Sequence, residues 1–149
     1  MRRVFRALTA SLAIPAGIAV AVPTGSAFAA NTAPTIVTCA NNAAGASAIL
    51  VSGCTSKAVT GGSGKVTANS TGTTFKVVWK TGKTTTGTST PTVVTPSKCP
   101  SAMPTEVRLA GTVKGGTAKA LIGGKATNTI CANLTTGKAK LLAGTKYKV

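Results

Sequence analysis

Histidine is absent from this chain of 149 residues, and Glu106 is its only acidic side chain. Those two gaps exclude most side-chain catalysis. General acid–base chemistry draws mainly on His, Asp and Glu, Ser-His-Asp triads need an imidazole, and calcium or magnesium sites need clustered carboxylates. A lone Glu106, next to Arg108 on one strand face, cannot serve as acid and base together. A serine or threonine nucleophile would need a lysine base in a Ser-x-x-Lys setting, which is missing. The chain is therefore expected to be non-catalytic, with no metal and no cofactor. Aromatic residues make up only 3% of the sequence, too few for a surface that stacks bases or for a large apolar ligand pocket. No apolar run reaches the roughly 20 residues needed to span a bilayer.

What is present begins with an address. Arg2, Arg3 and Arg6 precede the apolar stretch from Ala7 to Val22, and Ala27-Phe28-Ala29 offers small residues where a signal peptidase reads. Residues 1–29 are expected to be a signal peptide cleaved after Ala29, with Ala30 a close alternative and residues 30–149 a single domain. Arg2-Arg3 also loosely resembles a twin-arginine export signal, so either export route fits. The end of the sequence, Lys146-Tyr147-Lys148-Val149, has no apolar tail, and the expected product is secreted, extracellular and not membrane-spanning after cleavage.

Seventeen basic side chains, less the three arginines of the leader, leave fourteen; against Glu106 the net charge is +13. An ordinary chain is about 25% charged with the signs roughly balanced. Here the acidic half is missing while the basic half is unremarkable. A nearly unopposed positive field attracts polyanions in a salt-dependent way. The candidate anion-binding residues are Lys76, Lys80 and Lys83 around Trp79, and Lys138, Lys140, Lys146 and Lys148 near the end. The expected partners are anionic polymers of the cell envelope, glycans or nucleic acid without specific recognition. The lysines never form a run, so a solvated face that keeps the protein soluble is the competing reading.

Four cysteines in an exported domain read as two disulfides. Of three possible pairings, Cys39–Cys54 with Cys99–Cys131 is expected, because each bond then closes a loop within its own half of the chain. No Cys-x-x-Cys pair supports a zinc site.

The remaining sequence is a succession of short β-branched segments punctuated by glycine. Thr74 to Lys80 alternates, with Phe75, Val77 and Trp79 on one face. Val107, Leu109 and Val113 alternate likewise. Strands are also expected at Ala48 to Val51, Lys65 to Ala68, Thr84 to Thr90, Thr117 to Ile122, Lys125 to Ala132, Lys138 to Leu142, and finally up to Val149. Pro91 and Pro96 bracket Thr92 to Thr95, which suits a sheet edge or extended segment and not a central strand. Eight or nine short strands with turns every 8 to 12 residues describe an all-β sandwich, immunoglobulin-like or a partly open barrel.

Motifs for chemistry are weak. Gly82-Lys83-Thr84 lacks the earlier glycine of a phosphate loop, since Val77 stands in its place, and it reads as a hairpin turn. Trp79 reads as a core residue ahead of a stacking platform. The loop from Cys99 to Pro104 is stiffened by a cysteine and two prolines. It offers an alternative role as a protein-binding or protease-inhibitor loop, and a small-ligand carrier is a third.

The arrangement of Cys39 and Gly53-Cys54, Trp79 with Gly82-Lys83-Thr84-Thr85, Cys99-Pro100, Gly111-Thr112-Val113 and Cys131 resembles small secreted, disulfide-containing β-rich proteins from high-GC Gram-positive bacteria (actinobacteria) that have no established activity. The resemblance spans most of residues 30–149. It implies a secreted, disulfide-stapled β domain and carries over no functional site.

Overall fold

The computed structural model describes residues 33–45 and 47–149. The expected signal peptide, residues 1–29, lies outside them. Nine strands form one antiparallel sheet: β1 Thr38–Ala44, β2 Ile49–Cys54, β3 Ser63–Ala68, β4 Thr74–Trp79, β5 Thr84–Val94, β6 Thr105–Gly115, β7 Lys125–Asn133, β8 Lys138–Leu141 and β9 Tyr147–Lys148. Their order is β8-β7-β6-β5-β4-β3-β2-β1-β9. Each strand up to β8 pairs with the next, and β9 returns to the free side of β1. The protein is all-β with two disulfides, and the sheet is one continuous meander that nearly closes, the partly open barrel of the two expected arrangements.

Alternation along the strands sorts the side chains. Val51, Val66, Val77, Trp79 and Val113 point inward and are buried, joined by Val37, Leu141, Tyr147 and Val149. Two aromatic rings lie over cross-strand glycines. Trp79 is paired with Gly64, and Phe75 with Gly87. A Cβ on Gly64 would stand 2.7 Å from the Trp79 ring, and one on Gly87 2.5 Å from the Phe75 ring, so any side chain there would displace the aromatic from the core. The buried indole Nε1 of Trp79 donates to Thr85 Oγ1 at 2.8 Å, which satisfies the one polar group that this large ring brings inside.

The seam is closed by side chains. Asn128, on β7, donates through Nδ2 to the Lys148 carbonyl at 3.0 Å and accepts from the Lys148 N–H at 2.9 Å. An amide carries one acceptor and a donor group, so it pairs with β9 as a backbone residue would. Asn42, on β1, accepts from the Leu141 N–H of β8 at 3.2 Å.

Three segments depart from the sequence reading. Residues 117–122 are not a strand. Lys119–Leu121 forms a 3₁₀ turn, whose three-residue period places Ala118 and Leu121 on one side, and both are buried in the core. Gly116 and Gly123, at φ 110° and 87°, bracket this turn and let the chain leave and rejoin the sheet. Lys57–Thr60 is a single helical turn, α1. Beyond its expected end at Thr90, β5 runs through Pro91 to Val94. Its pairing with β4 ends at Thr88, so from Thr90 onward β5 has β6 alone as a neighbour, and Pro91 sits on the free edge expected of it.

Both expected disulfides are present. Cys39 and Cys54 face each other across β1 and β2. Cys131 lies on the outward side of β7, opposite Glu106, and is fully buried beneath the loop that carries Cys99.

Replacing Asn128 by Leu should leave both Lys148 backbone groups unpaired. The expected loss is about 1–3 kcal/mol in urea unfolding, with faster amide exchange in β9 and unchanged exchange in β4. A loss spread evenly over all strands would remove the latch role. Burial also pushes the Tyr147 phenol well above its ordinary value of 10.0. Above pH 10 the unfolded chain loses this proton while the folded one keeps it. Stability should therefore fall with rising pH by about 1.4 kcal/mol per unit relative to Tyr147→Phe. Parallel pH curves for the two proteins would contradict this.

Candidate functional site

The single carboxylate has a structural task. Glu106 is 5% exposed, and its Oε2 accepts the Lys98 backbone N–H at 2.7 Å. The 99–104 loop is held against the sheet at two more points: the Cys99–Cys131 disulfide, and Asn133 Nδ2 donating to the Ala102 carbonyl at 3.1 Å. Within the loop the Met103 N–H donates to the Pro100 carbonyl at 2.9 Å. The loop is anchored as its composition suggested. Ser101 and Ala102 are exposed, and Met103 is half-buried.

Because Glu106 is covered, the described surface presents cations with no exposed acidic side chain to oppose them. Its basic groups fall into separate sets. Lys76 projects outward from β4, the middle strand of the sheet, and Lys80 follows just past its end. Lys138 and Lys140 lie on β8, and Lys146 and Lys148 flank Tyr147 at β9. These four belong to the two ends of the sheet, on the seam side of the barrel, away from β4. Lys83 stands apart from both sets, since its Nζ donates to the Ala58 carbonyl of α1 at 3.1 Å and staples the β4–β5 turn to that helix. The seven sequence candidates therefore do not form one site.

The register adds three lysines that the sequence reading left out. Across the outer face, Leu50, Lys65 and Val78 stand abreast, then Thr67, Lys76 and Thr86, then Thr74, Thr88, Thr112 and Lys125. Lys114 joins them because β6 carries an extra residue opposite the Thr86/Gly87 step. Lys76 and Lys114 line one shallow depression of about 500 Å³ together with Thr67, Thr74, Thr86 and Thr88. Lys65 and Lys80 line a second of about 410 Å³ with Leu50, Ser52, Ser63 and Val78. Alternation in the sequence placed Lys76 opposite Phe75, Val77 and Trp79, and the structure puts Lys65 on the same outer face. Only strand pairing could show that they share a face with Lys114 and Lys125, which lie well downstream.

Trp79 is 2% exposed and belongs to the core, as expected. Gly82, at φ 79°, sits in the tight turn between β4 and β5, so Gly82-Lys83-Thr84 is the hairpin turn its sequence suggested. Among the described residues no group of three or more His, Cys, Asp or Glu side chains is placed to hold a metal ion. No helix among them is long and apolar enough to cross a membrane. No family model, curated protein or solved structure matches the chain.

Glu106→Ala should release the Lys98 N–H, cost about 1.5–3 kcal/mol and speed amide exchange at Lys98 and Cys99. Glu106→Gln, which keeps an acceptor oxygen, should cost less than half as much. Equal losses from the two variants would mean that the hydrogen bond is not what the carboxylate supplies.

Proposed function

We propose that the protein is secreted after removal of residues 1–29 and that it acts without catalysis, by binding anionic extracellular polymers electrostatically. The observation that carries this reading is the burial of Glu106 against Lys98, which leaves an exterior of one charge sign. The two disulfides fit an oxidising, extracellular compartment. Lysines that hold no carboxylate partner keep their full attraction for an outside anion, and that attraction weakens as salt screens it.

A second reading rests on the 99–104 loop, which the disulfide, Glu106 and Asn133 hold at three points. Such stiffness lowers the ordering cost of binding a protein partner, with Ser101 and Ala102 at the exposed tip.

The polymer reading predicts retention of the oxidised protein on purified cell walls at about 20 mM salt and release before about 0.5 M, by screening. Met103→Ala should leave this unchanged. Flow-through at the lowest salt would end the reading, and selective loss of binding in Met103→Ala would shift it to the loop.

A further inference from the structure

The general polyanion reading does not say which surface is used or what polymer it suits; the outer face of β3–β7 answers both. We propose that this face binds a linear phosphodiester-linked polyol or sugar chain along a diagonal band of five lysines: Lys80, Lys65, Lys76, Lys114 and Lys125. The inference rests on the polymer reading above and makes it specific.

Geometry comes first. Strands stand about 4.8 Å apart and two residues along a strand advance about 6.7 Å, so successive members of the band lie roughly 8–10 Å apart. The band runs obliquely from Lys65 on β3 to Lys125 on β7, with Lys80 beside its start at the end of β4. It passes both shallow depressions, with Lys65 and Lys80 in one and Lys76 and Lys114 in the other. Lys125 extends it, and its Nζ reaches Thr112 Oγ1 at 3.4 Å. All five lysines are exposed. Lys76 and Lys80 are neighbours in the sequence, whereas Lys65, Lys114 and Lys125 are brought beside them by the register alone.

Chemistry then selects the occupant. Between the lysines stand Thr67, Thr86, Thr88 and Thr112 on the same face. A hydroxyl both donates and accepts, which suits the free hydroxyls of a polyol or sugar. Lysine presents compact point charges, without the bidentate fork by which arginine grips carboxylate and phosphate alike, and this suits a flexible chain of separate single charges such as phosphodiesters. Arg108 is the sole arginine among the described residues and stands outside the band. Nucleic acid fits less well. Trp79 and Tyr147 are buried and Phe75 lies over Gly87, so no exposed ring is offered to stack a base.

The test compares two variants of equal charge by titration with purified poly(glycerol phosphate) over a salt series. One carries Lys65→Gln, Lys76→Gln, Lys114→Gln and Lys125→Gln. The other carries Lys138→Gln, Lys140→Gln, Lys146→Gln and Lys148→Gln on the seam side. The first should bind at least tenfold more weakly and lose about three from its log–log salt slope, by the counterion-release rule for flexible strands. The second should weaken less than threefold. Amide shifts of the unaltered protein on adding polymer should concentrate in β3–β7, a readout independent of how any variant folds. Equal weakening of both variants, or shifts spread over β8 and β9, would overturn the band and leave the general reading standing. Tighter binding of hyaluronate or duplex DNA than of poly(glycerol phosphate) would overturn the phosphodiester-polyol assignment. No binding to any of the three at low salt would overturn both.

Discussion

Among the described residues the sheet has one apolar face and no second layer, so it has only itself to be buried against. That constraint governs the rest of this molecule. Among the described residues nine strands supply one inward face, two short helical turns are the other regular elements, and three aromatic residues serve them all. Curling brings Val51, Val77 and Val113 together with Leu141 and Tyr147. Closing the curl requires an answer for the backbone groups at the seam, because unpaired edge groups invite association with other chains. Asn128 and Asn42 supply that answer with side-chain amides. The aromatics are economical in the same sense. Trp79 and Phe75 pack closely over Gly64 and Gly87, so each ring covers backbone as well as neighbouring side chains.

Charge is arranged by the same inward–outward division. Among the described residues the interior holds no cation, and the one acidic side chain is turned to a backbone N–H near the 99–104 loop. What faces out along the strands is largely threonine and lysine, with Leu50 and Val78 among them. Threonine favours a strand and keeps its hydroxyl in water, so an outer face can be made soluble without carboxylates. The row of Thr84, Thr86, Thr88, Thr90 and Thr92 along β5 is the plainest case, broken inward only by Thr85, whose hydroxyl serves Trp79.

Much of this was legible in the sequence, and the reasons differ by element. Strand β4 announces itself because Phe75, Val77 and Trp79 recur at period two. Pro91 marks its own edge position, since proline lacks the N–H that a second neighbour would require. Strand β1 was not legible. Thr-Cys-Ala-Asn-Asn-Ala-Ala has little β propensity, and it is a strand because Cys54 and β2 hold one side of it and β9 the other. Residues 117–122 misled in the opposite direction: flanking glycines and a β-branched end suggested a strand, while the spacing of Ala118 and Leu121 suited a turn that plugs the core. The lysine band was hidden for a third reason. Alternation tells which way a side chain points, but not which strand will stand beside it.

One charge sign carries a cost that the architecture must offset. Fourteen basic side chains against one acidic one over residues 30–149 repel one another most strongly in the compact state. The disulfides work against this by restricting the unfolded chain, by about 3 kcal/mol for a loop as short as that between Cys39 and Cys54 in the entropic account. A bound polyanion would act in the same direction, because a ligand that prefers the folded surface stabilises it by mass action. Salt then has two opposed effects on the protein. It relieves self-repulsion in the free molecule and would weaken attraction to the proposed polymer. Folding and binding should therefore respond to ionic strength with opposite signs, a relation that follows from the absence of exposed carboxylates. An exterior with balanced charges would show neither effect strongly. In this molecule the missing acids are thus a property of the fold's energetics as much as of its surface, and the disulfide staples offset part of what the lysine face costs.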